Sequence, residues 1–374
     1  MGGFALKIGV LTSSRADYGI YLPLLTAMKN DERFELCIIA FGSHTRPEFG
    51  ETIHSIYTDS YNEVIAIDNL LVGDSPEIIA KSYGNTASIF ADFWSKRGNS
   101  FDWIFCLGDR FEMAAAVNAG IPFQLNFAHF HAGEITLGAI DNIYRHQLTL
   151  ASQLHFVSLE VNAQKVWELT GEKNTTTVIG SLSLLNQVNL PLLSVSEFYE
   201  KWKIDLTIPT ILITVNPETV NFEKNELYAE ITVKALRDLS NEFQLVINPP
   251  NADTNGSIFR KAFIDLQQEN EAIIIVENFG SQSYFSCMKH AALLLGNTSS
   301  GIIEAASFQK YVINIGDRQK GRFAPENVID VPFDYNQICE KTRKYINKTY
   351  LGENPYFRND SVELTLNKLL QKTQ

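Results

Sequence analysis

The chain has 374 residues, of which 45% are hydrophobic and 20% charged, and its formal net charge is −12 at pH 7. This composition excludes an intrinsically disordered chain, and the length favours two domains. Because an acidic chain is repelled by phosphate backbones and anionic lipids, neither nucleic acid nor a membrane surface is an expected partner.

The cysteines and the N-terminus point to a reducing compartment. The cysteines show no C-x-x-C spacing, so the sequence predicts neither a disulfide scaffold nor a zinc ribbon. The N-terminus lacks the basic segment of a signal peptide, and no apolar stretch approaches the roughly 20 residues that a membrane span requires. We therefore expect a cytoplasmic protein. The four scattered cysteines are Cys37, Cys106, Cys287 and Cys339.

Short apolar runs alternate with helical patterns through the first half of the chain. Strands are predicted at 8–11, 36–40, 103–107, 154–157 and 177–179, with a further extended segment at 123–129. Helices are predicted at 21–29, 82–96, 113–120 and 142–152. Such alternation predicts a parallel sheet with helices on both faces.

The alternation restarts at residue 211, after the segment LPLL (190–193) and a polar stretch that extends to Pro209. Strands are predicted at 211–215, 245–247, 273–276, 293–295 and 312–315, with helices at 227–240, 257–268 and 284–290. The sequence therefore predicts two doubly wound α/β domains, residues 1–190 and 191–354, with ligands in the cleft at the carboxyl ends of their strands. No G-x-G-x-x-G and no P-loop is present, which argues against a nicotinamide enzyme or an ATPase.

The turn at 296–304, sequence GNTSSGIIE, joins a predicted buried strand to a predicted helix. It combines backbone N–H groups, hydroxyls and a helix N-terminus, which together suit a diphosphate. Glu304 on the first turn would repel phosphate, so it is expected to accept hydrogen bonds from a ribose diol. The alternative is an ordinary turn capped by Ser299 or Ser300.

Two further strand ends carry charged side chains. Arg15 follows the first strand, where its guanidinium can hold phosphate oxygens, although it could instead pair with Asp17. Asp109 follows the strand at 103–107, where a desolvated carboxylate is suited to proton transfer. The alternative is that Asp109 caps the helix that follows.

Ionisable residues are densest at 129–146. His129 and His131 are two residues apart, so on a strand they would face the same side. Glu134 follows the strand, and Asp141 opens the next helix. Acid–base work by these two carboxylates is the favoured interpretation. A metal site lacks supporting spacing such as H-x-x-x-H, and a structural network that holds the loop is a third alternative.

Two loops of the second half complete the set of candidates. Asn216 follows the first strand there and can donate a side-chain hydrogen bond, unless it only forms a turn. The loop at 316–322 carries three cations, among them Arg318, and is predicted to face an anion rather than to be a solvated basic loop.

Taken in order, these stretches resemble the UDP-N-acetylglucosamine 2-epimerase family, in particular its hydrolysing branch of the sialic acid and legionaminic acid pathways. The motifs span nearly the whole chain. They are SRADYG (14–19), LGDRFE (107–112), HFHAGE (129–134), DNIYRH (141–146), NPET (216–219), GNTSSGIIE (296–304) and NIGDRQKGR (314–322).

The resemblance implies a GT-B fold, which is α/β with two Rossmann-like doubly wound domains and the active site in the interdomain cleft. It also implies that a C-terminal helix at 361–370, within 355–374, completes the first domain. The implied reaction converts UDP-GlcNAc and water into N-acetylmannosamine and UDP, without a cofactor or metal. Partners are the UDP-sugar, UDP and a second copy of the chain, in a homodimer or a dimer of dimers.

The resemblance also assigns the residues. Asp109, Glu134 and Asp141 become the acid–base candidates, without an indication of which one removes the C2 proton. The diphosphate is assigned to Arg15, Thr298, Ser299, Gly301 and Arg318, and the ribose to Glu304. The other expected substrate-binding residues are Asp17, Arg110, His131, Arg145, Asn216, Tyr284 and Ser300.

Two positions depart from the family pattern. The family usually has histidine where Asn216 stands, and asparagine cannot carry a positive charge toward the diphosphate. The usual H-G-G-E is H-A-G-E here, so Ala132 would be strained if that position required a positive φ.

Four functions follow from the resemblance and the residues. The preferred one is the hydrolysing UDP-GlcNAc 2-epimerase, or the same reaction on a UDP- or GDP-linked 2,4-diacetamido-2,4,6-trideoxyhexose of the legionaminic acid route. A non-hydrolysing epimerase, a GT-B glycosyltransferase and a catalytically inactive nucleotide-sugar binding module are the alternatives.

Overall fold

The computed structural model describes residues 5–47, 52–73, 75–220, 222–249 and 256–373. Contacts divide the chain into two compact units. Unit 1 comprises the described residues within Met1–Glu134, Asp141–Asn186 and Tyr356–Gln374, and unit 2 those within Ile135–Ile140 and Gln187–Pro355. The segment 135–140, which lies inside the predicted first domain, thus belongs to unit 2.

Unit 1 is built on a seven-stranded parallel sheet. Its strands are β1 (Leu6–Thr12), β2 (Phe34–Ala40), β3 (Glu63–Ala66), β4 (Trp103–Leu107), β5 (Phe127–Phe130), β6 (Leu154–Val157) and β7 (Thr176–Val178). The spatial order is β3-β2-β1-β4-β5-β6-β7. Because the order reverses between β1 and β4, the connections after these two strands leave toward opposite faces and open a crevice at the carboxyl edge.

The helices of unit 1 cover both faces of this sheet. They are α1 (Arg15–Lys29), α2 (Ile53–Thr58), α3 (Pro76–Arg97), α4 (Phe111–Gly120), α5 (Asp141–Ala151), α6 (Glu160–Thr170), α7 (Leu182–Asn189, which ends in unit 2) and the C-terminal α14 (Ser361–Thr373). Local sequence sets the start of α3, where the Ser75 hydroxyl accepts from the Ile78 amide at 3.3 Å and Pro76 occupies the first turn.

The packing of the unit 1 core explains why the sequences of its central strands are apolar along their whole length. Every residue of β4 and of β5 is buried. Phe130 stacks on Phe156 with ring centroids 4.7 Å apart, and its edge meets Tyr21 of α1 at 5.4 Å. Strands covered on both faces by helices have no solvent side, so they lose the polar–apolar alternation of an open sheet.

Unit 2 repeats this plan with six parallel strands in the order β10-β9-β8-β11-β12-β13. The strands are β8 (Thr210–Thr214), β9 (Gln244–Ile247), β10 (Ile273–Ile275), β11 (Leu293–Gly296), β12 (Val312–Ile315) and β13 (Val328–Val331). The helices are α8 (Val195–Trp202), α9 (Asn225–Leu239), α10 (Gly256–Gln267), α11 (Gly280–His290), α12 (Ser299–Ile303) and α13 (Tyr335–Tyr345). The order reverses between β8 and β11.

The predicted fold class, two parallel-sheet α/β domains of the GT-B type, is confirmed. The prediction of an extended segment at 123–129 is wrong in its first half. Residues 121–123 form a 3-10 turn, Gln124 follows with φ +55°, and the strand begins only at Phe127. Elements that the sequence did not indicate are β3, β13, α2, α6, α7, α8 and α13.

No helix among the described residues is both long enough and apolar enough to span a membrane.

Candidate functional site

The loop after β4 carries Asp109 at the strand-order reversal of unit 1. Gly108 before it has φ +77°, a left-handed conformation that favours glycine. Asp109 forms an ion pair with Arg145 of α5, and the side chain of Asp109 is 27% exposed. The alternative that Asp109 caps α4 is wrong, because Arg110 occupies the N-cap position. The carboxylate is also less desolvated than the sequence suggested.

Arg145 connects the loops after β4 and β5. Its guanidinium is 2% exposed, and while Nη2 pairs with Asp109, Nη1 donates to the main-chain carbonyl of Glu134 at 3.0 Å. A guanidinium can hold two partners at once because its donors form a rigid fork. Arg145 is therefore a positioning group for both predicted acid–base residues, rather than only a ligand for the substrate.

The Glu134 carboxylate is 3% exposed and lies in a hydrogen-bonded pocket of unit 1. Its Oε1 accepts from His131 Nδ1 at 2.9 Å and from the Ser158 hydroxyl, after β6, at 3.1 Å. Gly133 shapes the turn with φ +70°, and a Cβ there would lie 2.2 Å from the Asn162 carbonyl oxygen. Only glycine allows this close approach.

His131 lies just beyond β5, and its backbone has φ +60°. The expectation that His129 and His131 face the same side is therefore wrong, because the two-residue alternation ends with the strand at Phe130. Ala132 does not have a positive φ. The methyl group that distinguishes H-A-G-E from H-G-G-E is accordingly accommodated without backbone strain.

His129 supports the loop that carries Asp109. Its Nε2 donates to the Gly108 carbonyl at 2.9 Å, and its Nδ1 lies 3.2 Å from the Thr149 hydroxyl. Burial lowers the pKa of His129 to about 3, so the ring is neutral at physiological pH. Among the described residues, no group of three or more histidines, cysteines or carboxylates is arranged to hold a metal ion.

The first turn of α1 separates Arg15 from Asp17. The Asp17 carboxylate is buried and accepts from the Ser13 amide at 3.1 Å and the Ser13 hydroxyl at 2.7 Å. Burial raises the pKa of Asp17. Asp17 therefore shapes the turn instead of pairing with Arg15, whose side chain is exposed.

Asp141 and Arg110 lie at the starts of α5 and α4. Asp141 is the first residue of α5, one helical turn before Arg145, so the two share a helix face. Arg110 donates through Nε to Glu112 Oε1 at 2.6 Å, and Glu112 is fully buried. The buried Glu112 carboxylate thus orients the Arg110 side chain. The structure brings Asp109, Glu134, His131 and Arg145 into one hydrogen-bonded network.

The turn at 296–304, which is the predicted diphosphate site, has a backbone geometry that requires glycine. Gly296 ends β11 with φ +148°, and a Cβ there would lie 1.9 Å from the Thr214 carbonyl oxygen. The alternative, a turn capped by Ser299 or Ser300, is wrong in its capping residue, because Thr298 is the N-cap and its hydroxyl accepts from the Ser300 amide at 3.4 Å. Ser299 opens α12, and a Cβ on Gly301 would lie 3.0 Å from Val312.

An asparagine that sequence reasoning missed joins the two strand ends at the reversal point of unit 2. Asn297 Oδ1 accepts from the Asn216 amide at 2.7 Å, and Asn297 Nδ2 donates to the Asn216 carbonyl at 2.9 Å. Gln319 Nε2 donates to the Asn297 carbonyl at 2.9 Å. Asn297 therefore links three loops: its side chain joins the loop after β11 to the loop after β8, and its main-chain carbonyl joins it to the loop after β12.

The predicted anion-facing loop after β12 is packed into unit 2. Glu218 Oε1 accepts from the Asp317 amide at 2.6 Å, and burial raises the pKa of Glu218. The Leu137 amide donates to the Lys320 carbonyl at 2.8 Å. Lys320 lies 3.4 Å from the Asp317 carboxylate, so part of the basic charge of the loop is balanced locally. Arg318 is half-buried.

Two further predicted substrate-binding residues, Tyr284 and Glu304, lie near α12. Tyr284 lines a small cavity with Thr214, Thr298 and Gly301, and desolvation raises the pKa of its phenol to about 12. Glu304 is buried and follows the last residue of α12, not its first turn as the sequence suggested.

Two other supporting residues had no signal of their own in the sequence. Ser158 holds Glu134 from the end of β6. His44 lies after β2, fully buried, with Nε2 2.9 Å from the Thr12 hydroxyl and Nδ1 2.8 Å from the Thr52 hydroxyl. Burial lowers the pKa of His44 to about 4. Each lies shortly after the end of a parallel strand of unit 1, and this position is the pattern that could have indicated it.

A model of the family described as UDP-N-acetylglucosamine 2-epimerase matches residues 26–370 of the chain. The chain belongs to this family. The match includes every predicted site residue from Asp109 to Arg318, whereas Arg15 and Asp17 precede it. The resemblance stated from the sequence motifs is confirmed, and a glycosyltransferase is not favoured.

Two named relatives of this chain come from the same family. A Campylobacter jejuni protein named GDP/UDP-N,N'-diacetylbacillosamine 2-epimerase (hydrolyzing) is 34% identical over 90% of this chain and 87% of its own length. The Escherichia coli polysialic acid biosynthesis protein P7 is 31% identical over 95% of this chain and 91% of its own length. Both are similar to this chain over nearly its whole length.

The fold is shared with a solved epimerase. The Neisseria meningitidis UDP-GlcNAc 2-epimerase, in a crystal structure with UDP-GlcNAc bound, superposes with a TM-score of 0.79. The superposition covers 98% of this chain and 100% of that one at 17% sequence identity. Likeness at this identity shows the fold alone.

Proposed function

We propose that this family member is a hydrolysing nucleotide-sugar 2-epimerase that converts UDP-GlcNAc and water into N-acetylmannosamine and UDP. One observation carries the proposal. Arg145 fixes the Asp109 side chain and the Glu134 backbone together at the carboxyl edge of unit 1, with the Glu134 carboxylate buried beside His131. Proton transfer at a carbon atom needs fixed ionisable groups of this kind.

The proposed reaction begins with an anti elimination. The hydrogen on C2 of the sugar is a poor acid, so cleavage of the C1–O bond must accompany or precede its removal. Loss of UDP gives 2-acetamidoglucal, and syn addition of water sets the manno configuration. Donors that stabilise the charge growing on the diphosphate lower the barrier because they act in the transition state.

The two units contribute different groups in this proposal. Unit 1 supplies Asp109, Glu134 and Asp141 for proton transfer and Arg15 for phosphate. The residues of unit 2 hold the nucleotide, with Thr298, Ser299, Gly301 and Arg318 on the diphosphate and Glu304 on the ribose. We propose no cofactor, because elimination and hydration leave the oxidation state of the substrate unchanged overall.

A second candidate substrate is a UDP- or GDP-linked diacetamido trideoxy sugar. The Campylobacter jejuni relative supports it, since that protein is named for diacetylbacillosamine. The two candidate sugars differ at C4, where one carries a hydroxyl and the other an acetamido group, and at C6, where the second lacks the hydroxyl. The elimination at C1 and C2 is the same for both.

Incubation in D2O with NMR detection tests the proposal. UDP-GlcNAc should yield free UDP and N-acetylmannosamine that carries deuterium at C2. Epimerised UDP-sugar without net UDP release would instead support a non-hydrolysing epimerase, and unchanged substrate would contradict the choice of UDP-GlcNAc. A parallel reaction with UDP-N,N'-diacetylbacillosamine, compared by kcat/KM, decides between the two substrates.

The family resemblance implies a homodimer or a dimer of dimers, and of these we further propose the homodimer. Most soluble oligomers are symmetric assemblies of identical chains, and the two-fold dimer is the commonest. Light scattering coupled to size-exclusion chromatography should give twice the chain mass of 42.1 kDa. A mass of one chain at micromolar concentration would contradict this proposal without affecting the proposed reaction.

A further inference from the structure

We infer that the Nε2 atom of His131, rather than a carboxylate, receives the proton from C2 of the sugar, and that Glu134 acts through this histidine. The inference rests on the proposed function and specifies one of its steps. It gives His131 the catalytic role in that step and replaces Glu134 as the proton acceptor, so that Glu134 becomes a positioning residue there.

Hydrogen-bond geometry fixes the tautomer of His131. Its Nδ1 lies 2.9 Å from Glu134 Oε1. Because an ionised carboxylate only accepts hydrogen bonds, Nδ1 carries the proton and Nε2 presents a lone pair. A carboxylate that orients an imidazole in this way favours proton uptake at the opposite nitrogen.

Of this pair, the histidine carries a nitrogen that lacks a hydrogen-bond partner among the described residues. Glu134 Oε1 already accepts from both His131 and the Ser158 hydroxyl. By contrast, Nε2 is buried and has no hydrogen-bond partner among the described residues, although the His131 side chain is 11% exposed. A buried polar atom without a partner requires an explanation, and a bound ligand is one.

The backbone of His131 supports a functional role. Its φ of +60° is a conformation that histidine adopts at a cost and that glycine adopts freely. Such strain persists where the surrounding structure imposes it, and it clusters at functional sites. Here Gly133, the Glu134–Arg145 contact and the Ser158 hydrogen bond fix the turn that projects the imidazole.

The proposed step balances in atoms and electrons. The C2–H bond breaks and its proton moves to Nε2, which gives an imidazolium ion. The electron pair of that bond forms the C1=C2 double bond, while the C1–O bond breaks and its pair leaves with UDP. The imidazolium then releases its proton to water, and a solvent proton reaches C2 during hydration, as the deuterium experiment requires.

Two substitutions at this position separate proton transfer from positioning. His131→Asn retains an N–H that can donate to Glu134 and tolerates a positive φ, but it has no basic nitrogen. His131→Gly removes the side chain and relieves the backbone. The assay measures kcat and KM for UDP release, with and without added imidazole, alongside the melting temperature of each variant.

Both variants are expected to lose about 10²–10⁴-fold in kcat with little change in KM or melting temperature. Imidazole is expected to restore activity to His131→Gly in proportion to its concentration, but not to His131→Asn. The inference is overturned if His131→Asn keeps more than about a tenth of the wild-type kcat, or if imidazole leaves His131→Gly unchanged. Absence of UDP release by the wild-type protein would instead overturn the proposed function.

Discussion

Replacing Arg145 by methionine tests whether one buried guanidinium joins the two loops of unit 1. The substitution preserves most of the apolar volume but removes the donors to the Glu134 carbonyl and the Asp109 carboxylate. A hydrogen bond that involves a charged group contributes about 1.5–3 kcal/mol. Since the Asp109 side chain is 27% exposed, solvent screening places its share near the lower limit.

We therefore expect Arg145→Met to reduce the free energy of unfolding by about 2–4 kcal/mol, which corresponds, for a chain of 374 residues, to a melting temperature lower by about 3–5 °C. Differential scanning calorimetry measures the shift. A double-mutant cycle with Asp109→Asn should give a coupling energy of about 0.5–3 kcal/mol.

The matched control is Arg33→Met, which removes an exposed arginine from its ion pair with Asp31, where the Arg33 side chain is 58% exposed. Surface pairs of this kind contribute about 0–1 kcal/mol, so the control should melt within about 2 °C of the wild type. The reasoning is refuted if Arg145→Met is as stable as this control, or if the cycle shows additive effects.

Three further outcomes are expected. Gly296→Ala should weaken UDP binding at least about tenfold by calorimetry because its Cβ would lie 1.9 Å from a carbonyl oxygen, whereas Gly84→Ala, with no atom within 4 Å, should not. Burial lowers the pKa of His129 to about 3 and of His44 to about 4, both below the usual 6.5. As the pH falls, these histidines take up protons in the unfolded chain before they do so in the folded one. The free energy of unfolding should therefore fall from pH 6.5 to pH 4 by up to about 1.4 kcal/mol per pH unit for each histidine. A melting temperature that does not change over this pH range would contradict this. Asp109→Asn should lower kcat by about 10²–10⁴-fold in the UDP-release assay, and a near-normal rate would exclude this carboxylate from proton transfer.

The central strands could be predicted from the sequence because burial on both faces leaves a continuous apolar run. The predicted strands at 103–107 and 312–315 agree with β4 and β12 residue for residue. The edge strand β3 escaped prediction because its four residues are only partly buried or exposed and it contains Glu63. Helix α13 escaped because its sequence is largely polar and charged.

Strand ends indicated the candidate site, but its internal contacts depend on folding. Asp109 and Glu134 could be named because parallel strands collect their carboxyl ends at one edge. Their shared partner Arg145 was expected to contact the substrate. Its role between the two loops could not be predicted, because a sequence does not show which main-chain carbonyl a guanidinium will contact. The left-handed conformation of His131 was equally invisible, because histidine rarely adopts it.

The Asn216–Asn297 contact has a consequence for how this family can diversify. Both of its hydrogen bonds use main-chain atoms of residue 216, so Asn297 sets the path of that loop whatever side chain residue 216 carries. Histidine and asparagine can therefore replace each other at position 216 during evolution without a change in the backbone of the loop. Such a replacement alters the charge of the side chain that is expected to face a leaving diphosphate and leaves the main-chain hydrogen bonds of Asn297 unchanged.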